Sequence, residues 1–113
     1  MQNKNSDTIS DEIIQKLSNY FNNKIGTYSV YNMMDEPYIA FNIIFDLYNY
    51  YIINFSYDRG SIGCSIIQGK YGIDLENSQQ WYDTADMDVF LQELEQQIEL
   101  RIPDKFLEFH GWK

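Results

Sequence analysis

The first apolar pattern in the chain has the spacing of an amphipathic helix. Its stripe is formed by Ile9, Ile13, Ile14, Leu17, Tyr20 and Phe21. Thr8 or Ser10 is placed to cap this helix, and Asn22, Asn23 and Gly26 are placed to end it, with Gly26 as the C-cap candidate. The polar positions 1–7 before it are expected to be a frayed tail.

From Thr27 the apolar residues recur at every second position, which is the period of a β-strand. The pattern predicts strands over 27–33, 38–47, 51–57 and 61–68, and a short edge strand over 71–75. Tyr48-Asn49 and Asp58-Arg59-Gly60 are turns too short for any connection except an antiparallel one. We therefore expect an antiparallel β-meander of about four or five strands.

A second helical pattern lies in the last third of the chain. It begins at Asp83 or Thr84 as the N-cap and runs to about Arg101, and Pro103 then opens a short helix that ends at Gly111. The buried stripe of the longer helix is expected to be Phe90, Leu91, Leu94 and Ile98, and the side facing water Glu93, Glu95, Gln96 and Glu99.

One face of the predicted meander is apolar and requires a cover. The two amphipathic helices, one on each side of the meander in sequence, can supply that cover. The chain is therefore predicted to be a single α+β domain over residues 1–113, built as a two-layer sandwich. We expect its core to contain Phe41, Ile43, Phe45, Ile53, Phe55, Leu91, Leu94 and Ile98.

Acidic residues are concentrated in the C-terminal part of this 113-residue chain, which has a formal net charge of −9. Residues 71–100 contain eight acids and no base. Such a surface repels nucleic acid and anionic membranes and attracts a basic partner. The alternative is a solvated face that serves solubility. Trp81 and Tyr82 lie within the same stretch and favour binding, because aromatic residues are enriched at protein interfaces.

Acids and aromatic residues occur together at three places: one between the first two strands, one in a hairpin turn, and one from the edge strand to the second helix. The candidate partner-binding residues are Asp35, Glu36, Asp58, Asp74, Glu76, Trp81, Tyr82, Asp83, Asp86 and Asp88.

The chain offers few groups for nucleophilic catalysis or metal binding. His110 is its only histidine and Cys64 its only cysteine, and Cys64 is predicted to point inward from a strand. Catalysis of the Ser–His–Asp type and the common zinc sites need more groups than these. We expect no metal, no cofactor and no small-molecule substrate.

Two local motifs superficially resemble ligand-binding loops but lack required residues. Gly63 and Gly69 are separated by five residues, whereas a phosphate-binding loop needs four followed by Lys and Ser or Thr. The acids Asp83, Asp86 and Asp88 lack the glycine and the distal glutamate of a calcium loop. Paired carboxylates acting as acid and base stay open as an alternative, because seventeen acids always permit some pair.

The chain has no signal-peptide pattern and no run near the roughly 18 apolar residues of a membrane span. A lone cysteine permits no intramolecular disulfide. We therefore expect a cytoplasmic protein that is monomeric when free and does not bind membranes.

Two stretches resemble small immunity proteins of bacterial contact-dependent inhibition and other polymorphic toxin systems. Tyr57–Ile66, with the sequence YDRGSIGCSI, is similar to their central hairpin, and Leu100–Lys113, with the sequence LRIPDKFLEFHGWK, is similar to their ending. The acidic segment Met87–Glu99 is similar in character to the helix before that ending. The resemblance implies a cytosolic protein that binds and blocks the active domain of a toxin. It carries over no interface residue.

The sequence thus favours a binding protein without catalytic activity that neutralises a toxin domain, and the acidic surface points to a basic nuclease. Two alternatives stay open. One is a regulatory or assembly module that binds itself or a host protein, and the other is a small enzyme that uses carboxylates.

Overall fold

The computed structural model describes residues 4–112. Its elements are α1 (Ser6–Phe21), a 3₁₀ helix (Asn22–Lys24), β1 (Ile25–Met34), β2 (Ala40–Leu47), β3 (Tyr51–Asp58), β4 (Ser61–Gln68), β5 (Tyr71–Leu75), α2 (Met87–Leu100) and α3 (Asp104–Phe109). Among these residues, no helix is long and apolar enough to cross a membrane.

The five strands form one sheet in the order β1-β2-β3-β4-β5, and each neighbouring pair is antiparallel. This is the predicted meander, and the predicted edge strand is present as β5. The predicted α+β class is confirmed. The strand predicted over 61–68 has the same bounds in the structure, because a short turn closes it on each side.

One face of the sheet is covered by α1 and α2, and the core lies between these layers. All eight predicted core residues belong to this one buried cluster. Helix and sheet interlock through aromatic contacts, such as Phe55 against Phe90 with ring centroids 5.6 Å apart. Alternation along each strand explains the result, since every second side chain of β2, β3 and β4 is buried.

On the other face of the sheet, no helix of residues 4–112 lies over the strands. Its side chains are half-buried by their neighbours or exposed. Asn32, Asn42 and Asn54 form a row of side-chain amides across three strands, with Asn32 Nδ2 donating to Asn42 Oδ1 and Asn42 Nδ2 donating to Asn54 Oδ1. We call this surface the open face.

Both long helices begin at other residues than predicted. α1 begins at Ser6, and Asn5 is its N-cap instead of Thr8 or Ser10. The expected frayed tail is therefore wrong for positions 6 and 7, and positions 1–3 lie outside the described residues. The early start has a tertiary cause, because the backbone N–H and the hydroxyl of Ser6 each donate to Asp35 at 2.8 Å.

The N-cap of α2 is Asp86, so the prediction of Asp83 or Thr84 was wrong. Its carboxylate accepts hydrogen bonds from the backbone N–H groups of Asp88 and Val89. Asp86 thereby satisfies donors that the first turn of a helix leaves unpaired.

Gly26 does not end α1. The C-cap is Asn22, which adopts a left-handed φ of 54°, and Gly26 lies within β1. A Cβ atom at Gly26 would clash with the carboxylate of Asp46 on β2. The side chain of Asp46 therefore packs over this glycine and would have to turn away from a larger residue.

Candidate protein-binding surface

Trp81 extends the sheet beyond the end of β5. It forms an antiparallel bridge with Ser61 at the start of β4. Two backbone bonds hold the segment: Ile62 N–H donates to Gln80 O at 2.9 Å, and Tyr82 N–H donates to Gly60 O at 2.8 Å. The Trp81 side chain is nevertheless 56% exposed, so a large aromatic ring is displayed from a fixed backbone.

Tyr82 points the other way, which follows from the alternation of side chains in an extended segment. Its hydroxyl donates to Glu12 Oε1 on α1 at 2.9 Å, and Lys16 Nζ lies 5.3 Å from its ring centroid. Burial, and then the bond to Glu12, raise the pKa of Tyr82 above its ordinary value. Tyr82 therefore packs α1 against the sheet and is a poor candidate for an exposed contact.

Asp58 and Asp74 share the open face with Trp81. Asp58 is paired with Ser61, which in turn is bridged to Trp81, and Asp74 is paired with Ser65 one strand away. Paired residues point to the same side of a sheet, so the two carboxylates and the indole all lie on this side. From the strand spacing, Asp58 and Trp81 are about 10 Å apart across the sheet.

The candidate surface is thus the part of the open face beside Trp81, including Asp58 and Asp74. We call it the Trp81 surface. Small side chains at Ser61, Gly63 and Ser65 lie between the acids and the indole, so a partner can approach the backbone closely. The sequence placed these residues in two separate groups, and the β3–β4 pairing brings them together.

Asp58 is partly neutralised by its neighbour. Arg59 Nε donates to Asp58 Oδ1 at 3.1 Å, and its guanidinium lies 4.1 Å from the ring centroid of Tyr38. Both partners of this ion pair are well exposed, so the pair adds little stability. β5 itself contains no cation that could pair with Asp74 in this way.

The remaining C-terminal candidates lie around the start of α2. Asp86 caps that helix and Asp88 lies in its first turn, which are structural positions as much as contact positions. Asp83 is exposed in the preceding turn. Glu76 is exposed after β5, and its backbone is held by hydrogen bonds to the side chain of Gln97.

Asp35 and Glu36 lie elsewhere, in the connection from β1 to β2. Both carboxylate oxygens of Asp35 are already engaged by Ser6. Glu36 is exposed. β1 is at the opposite edge of the sheet from Trp81, so these two candidates do not belong to the Trp81 surface.

Glu93, Glu95 and Glu99 were predicted to face water, and that prediction was wrong. All three are half-buried. Glu93 accepts hydrogen bonds from the backbone and hydroxyl of Ser78, and Glu95 accepts one from Tyr20. Glu99 accepts one from Tyr48 at 2.5 Å. Fewer carboxylates of the acid-rich stretch are therefore available to a partner than its composition indicates.

The remaining reactive groups are in ordinary positions. Cys64 is buried, and burial raises the pKa of its thiol, which disfavours the reactive thiolate. His110 stacks on Trp112 with ring centroids 5.1 Å apart. Within residues 4–112, no cluster of His, Cys, Asp or Glu side chains has the arrangement of a metal site.

Several exposed apolar side chains lie outside the predicted contact residues. Tyr28, Tyr31 and Met33 are exposed on β1, and Leu100 and Phe109 are exposed near the C-terminal end. The signal for the first group was present in the sequence, since 25–34 is a ten-residue stretch without a charge.

Comparison with known proteins finds no family model, no curated protein and no solved structure that matches this chain significantly.

Proposed function

We propose that this chain is an immunity protein that binds and neutralises a bacterial toxin domain, with a basic nuclease as the target its charge fits best. It acts by occluding the toxin and performs no reaction of its own. The resemblance of Tyr57–Ile66 and Leu100–Lys113 to immunity proteins supports the proposal. The net charge of −9 supports a basic partner.

The observation that carries the proposal is the Trp81 surface. The indole is 56% exposed, and hydrogen bonds hold the backbone that carries it. Little backbone entropy is therefore lost when the ring becomes buried in an interface. Tryptophan is among the residues that most often dominate binding energy. Asp58 and Asp74 on the same surface supply charge that disfavours acidic partners and attracts a basic one.

The test uses the toxin domain encoded beside this chain in its source genome, because immunity genes directly follow their toxin genes. Two variants, Trp81→Ala and Asp74→Lys, are compared with the parent for protection of cells and for affinity measured by calorimetry. Loss of a central aromatic anchor is expected to weaken binding by about 2–4 kcal/mol.

Two control variants separate effects at the Trp81 surface from the general effects of removing an aromatic ring or reversing a charge. Phe109→Ala removes another highly exposed aromatic ring, and Asp11→Lys makes the same charge change on the outer side of α1. Both controls should protect like the parent. The proposal fails if the neighbouring gene product does not bind this chain, and the assignment of the surface fails if Trp81→Ala binds as tightly as Phe109→Ala.

A further inference from the structure

The outer edge of β1 pairs with no other strand of the described residues 4–112. β1 is the first strand of the sheet, and β2 is its only neighbour among those residues. Over residues 4–112, no backbone hydrogen bond from outside that pair reaches Gly26–Met34. Seven of the ten residues of β1 are exposed. Alternate N–H and C=O groups along this edge therefore face solvent and are available to another strand.

This edge lacks three of the features that usually prevent such pairing, namely shortness, charge and proline, and its two bulges leave the middle of the strand regular. β1 has ten residues, none of them charged and none of them proline. The opposite edge is short, charged and partly covered: β5 has five residues and includes Asp74, and Gln80–Tyr82 pairs with the part of β4 that β5 leaves open.

The regular part of the edge is Tyr28–Tyr31. The register of β1 against β2 is irregular between Ile25 and Tyr28 and again between Tyr31 and Met34. Between these points four residues continue the ladder without interruption. Tyr28 pairs with Phe45 on the helix-covered face and Tyr31 pairs with Asn42 on the open face, so each face of the edge displays one tyrosine.

We propose that β1 pairs antiparallel with β1 of a second copy of this chain, joining two five-stranded sheets into one of ten strands. The contact is isologous, with the same edge used by both copies. Tyr28 and Tyr31 of one copy then gain cross-strand neighbours from the other on both faces, and such aromatic pairs stabilise a sheet.

The distribution of charge leaves β1 as the surface where a second copy can dock. Each chain carries −9, so two copies can approach closely only along a surface without acids, and β1 is such a surface. Asp74 and Trp81 lie at the other edge, about 19 Å away across four strand spacings. A partner strand rich in lysine would find no carboxylate along β1 to pair with.

The ends of β1 are complementary to each other. Lys24 directly precedes the strand and Glu36 follows it by two residues. In an antiparallel pair the start of one strand lies beside the end of the other, which brings each Lys24 towards the other copy's Glu36. Lys24 Nζ is already 3.5 Å from Glu95 Oε2, but an ammonium group has three donors and can serve a second carboxylate.

This pairing goes beyond the proposed function and does not depend on it, since the Trp81 surface stays free at the far edge. The sequence alone led us to expect a monomer, and the uncharged edge changes that expectation.

The experiment is sedimentation equilibrium of the full chain over a range of concentrations. The parent should reach twice the 13.5 kDa mass of one chain. Tyr31→Lys places a charge on the edge and should raise the dimer dissociation constant about tenfold or more, because the substitution occurs twice in the symmetric contact. Tyr71→Lys, the same change on exposed β5, is the matched control and should dimerise like the parent.

Thermal unfolding of each variant confirms that it is folded, and Tyr28→Lys serves as a second edge variant. A parent that keeps the mass of one chain at every concentration would overturn the proposal. A dimer that persists in both edge variants, or that Tyr71→Lys weakens equally, would also overturn it by placing the contact elsewhere.

Discussion

Tyr48 combines a left-handed backbone with a fully buried ring. Its φ is 59° in the turn between β2 and β3, a conformation that is costly for a residue with a Cβ atom. The ring is buried against Trp112, and its hydroxyl donates to Glu99 on α2. The packing and this hydrogen bond offset the strain of the turn.

Replacing Tyr48 with Phe should lower the free energy of unfolding by about 1–2 kcal/mol, because a hydrogen bond to a carboxylate is lost while the ring is kept. Tyr71→Phe is the control, since Tyr71 is 79% exposed and its hydroxyl donates to no residue over 4–112. Urea unfolding of both variants measures the difference. Equal midpoints would show that the Tyr48 bond contributes nothing.

The sequence predicted individual core residues better than individual surface residues. Phe41, Phe45 and Leu94 follow from local periodicity, which reports burial directly. The partners of Glu95 and Glu99 lie 75 and 51 residues away, and no local pattern indicates them. The exposure of Trp81 beside a buried Tyr82 likewise depends on the distant bridge to Ser61.

At the level of elements, the strands were predicted well and the helix starts were not. Short turns and alternation determine where β4 begins and ends. Several residues near the start of α1 can act as caps, and the choice of Asn5 is made together with the contact between Ser6 and Asp35. Where several neighbouring residues can act as the N-cap, tertiary contacts therefore decide which of them does.

Three tyrosine–carboxylate pairs tie the layers together. Tyr20 on α1 donates to Glu95 on α2, Tyr48 donates to Glu99, and Tyr82 donates to Glu12 on α1. Burial, and then the adjacent glutamate, raise the pKa of all three phenols, that of Tyr20 to about 12. Each phenol must therefore stay protonated in the folded protein.

The folded protein should lose stability as the pH rises above 10, the ordinary pKa of tyrosine. The folded-state pKa values are raised, so the unfolded chain releases these protons first and alkaline pH favours unfolding. The contribution is fully present below pH 10 and for Tyr20 is lost on the way to about pH 12. Melting temperatures measured at several pH values should show this decline.

A variant identifies the cause of the alkaline decline. Tyr20→Phe should reduce the loss of melting temperature between pH 10 and about pH 12, since one of the raised groups is absent. Tyr71→Phe, which removes an exposed phenol, should leave the decline as it is in the parent. The same decline in both variants would assign it to groups other than Tyr20.

For the whole molecule, the uneven distribution of charge separates two kinds of contact. The edge at β5 and the Trp81 surface carry carboxylates, whereas β1 carries none. Raising the salt concentration should therefore weaken the contact with a basic partner and strengthen the contact between two copies of this chain. Screening weakens attraction between an acidic surface and a basic partner, and it also weakens repulsion between two chains of charge −9.

Association of this chain with a basic toxin domain should slow about tenfold or more as salt rises from roughly 0.01 M to 1 M, because the screening length falls from about 30 Å to about 3 Å.

Asp74→Lys should lower the association rate and flatten its dependence on salt, since it reverses a charge on the docking face. Trp81→Ala should leave the association rate almost unchanged and raise the dissociation rate, because an aromatic anchor acts after docking. Stopped-flow measurements across the salt series separate the two rates. An association rate that does not respond to salt would mean that the net charge of −9 does not steer the encounter.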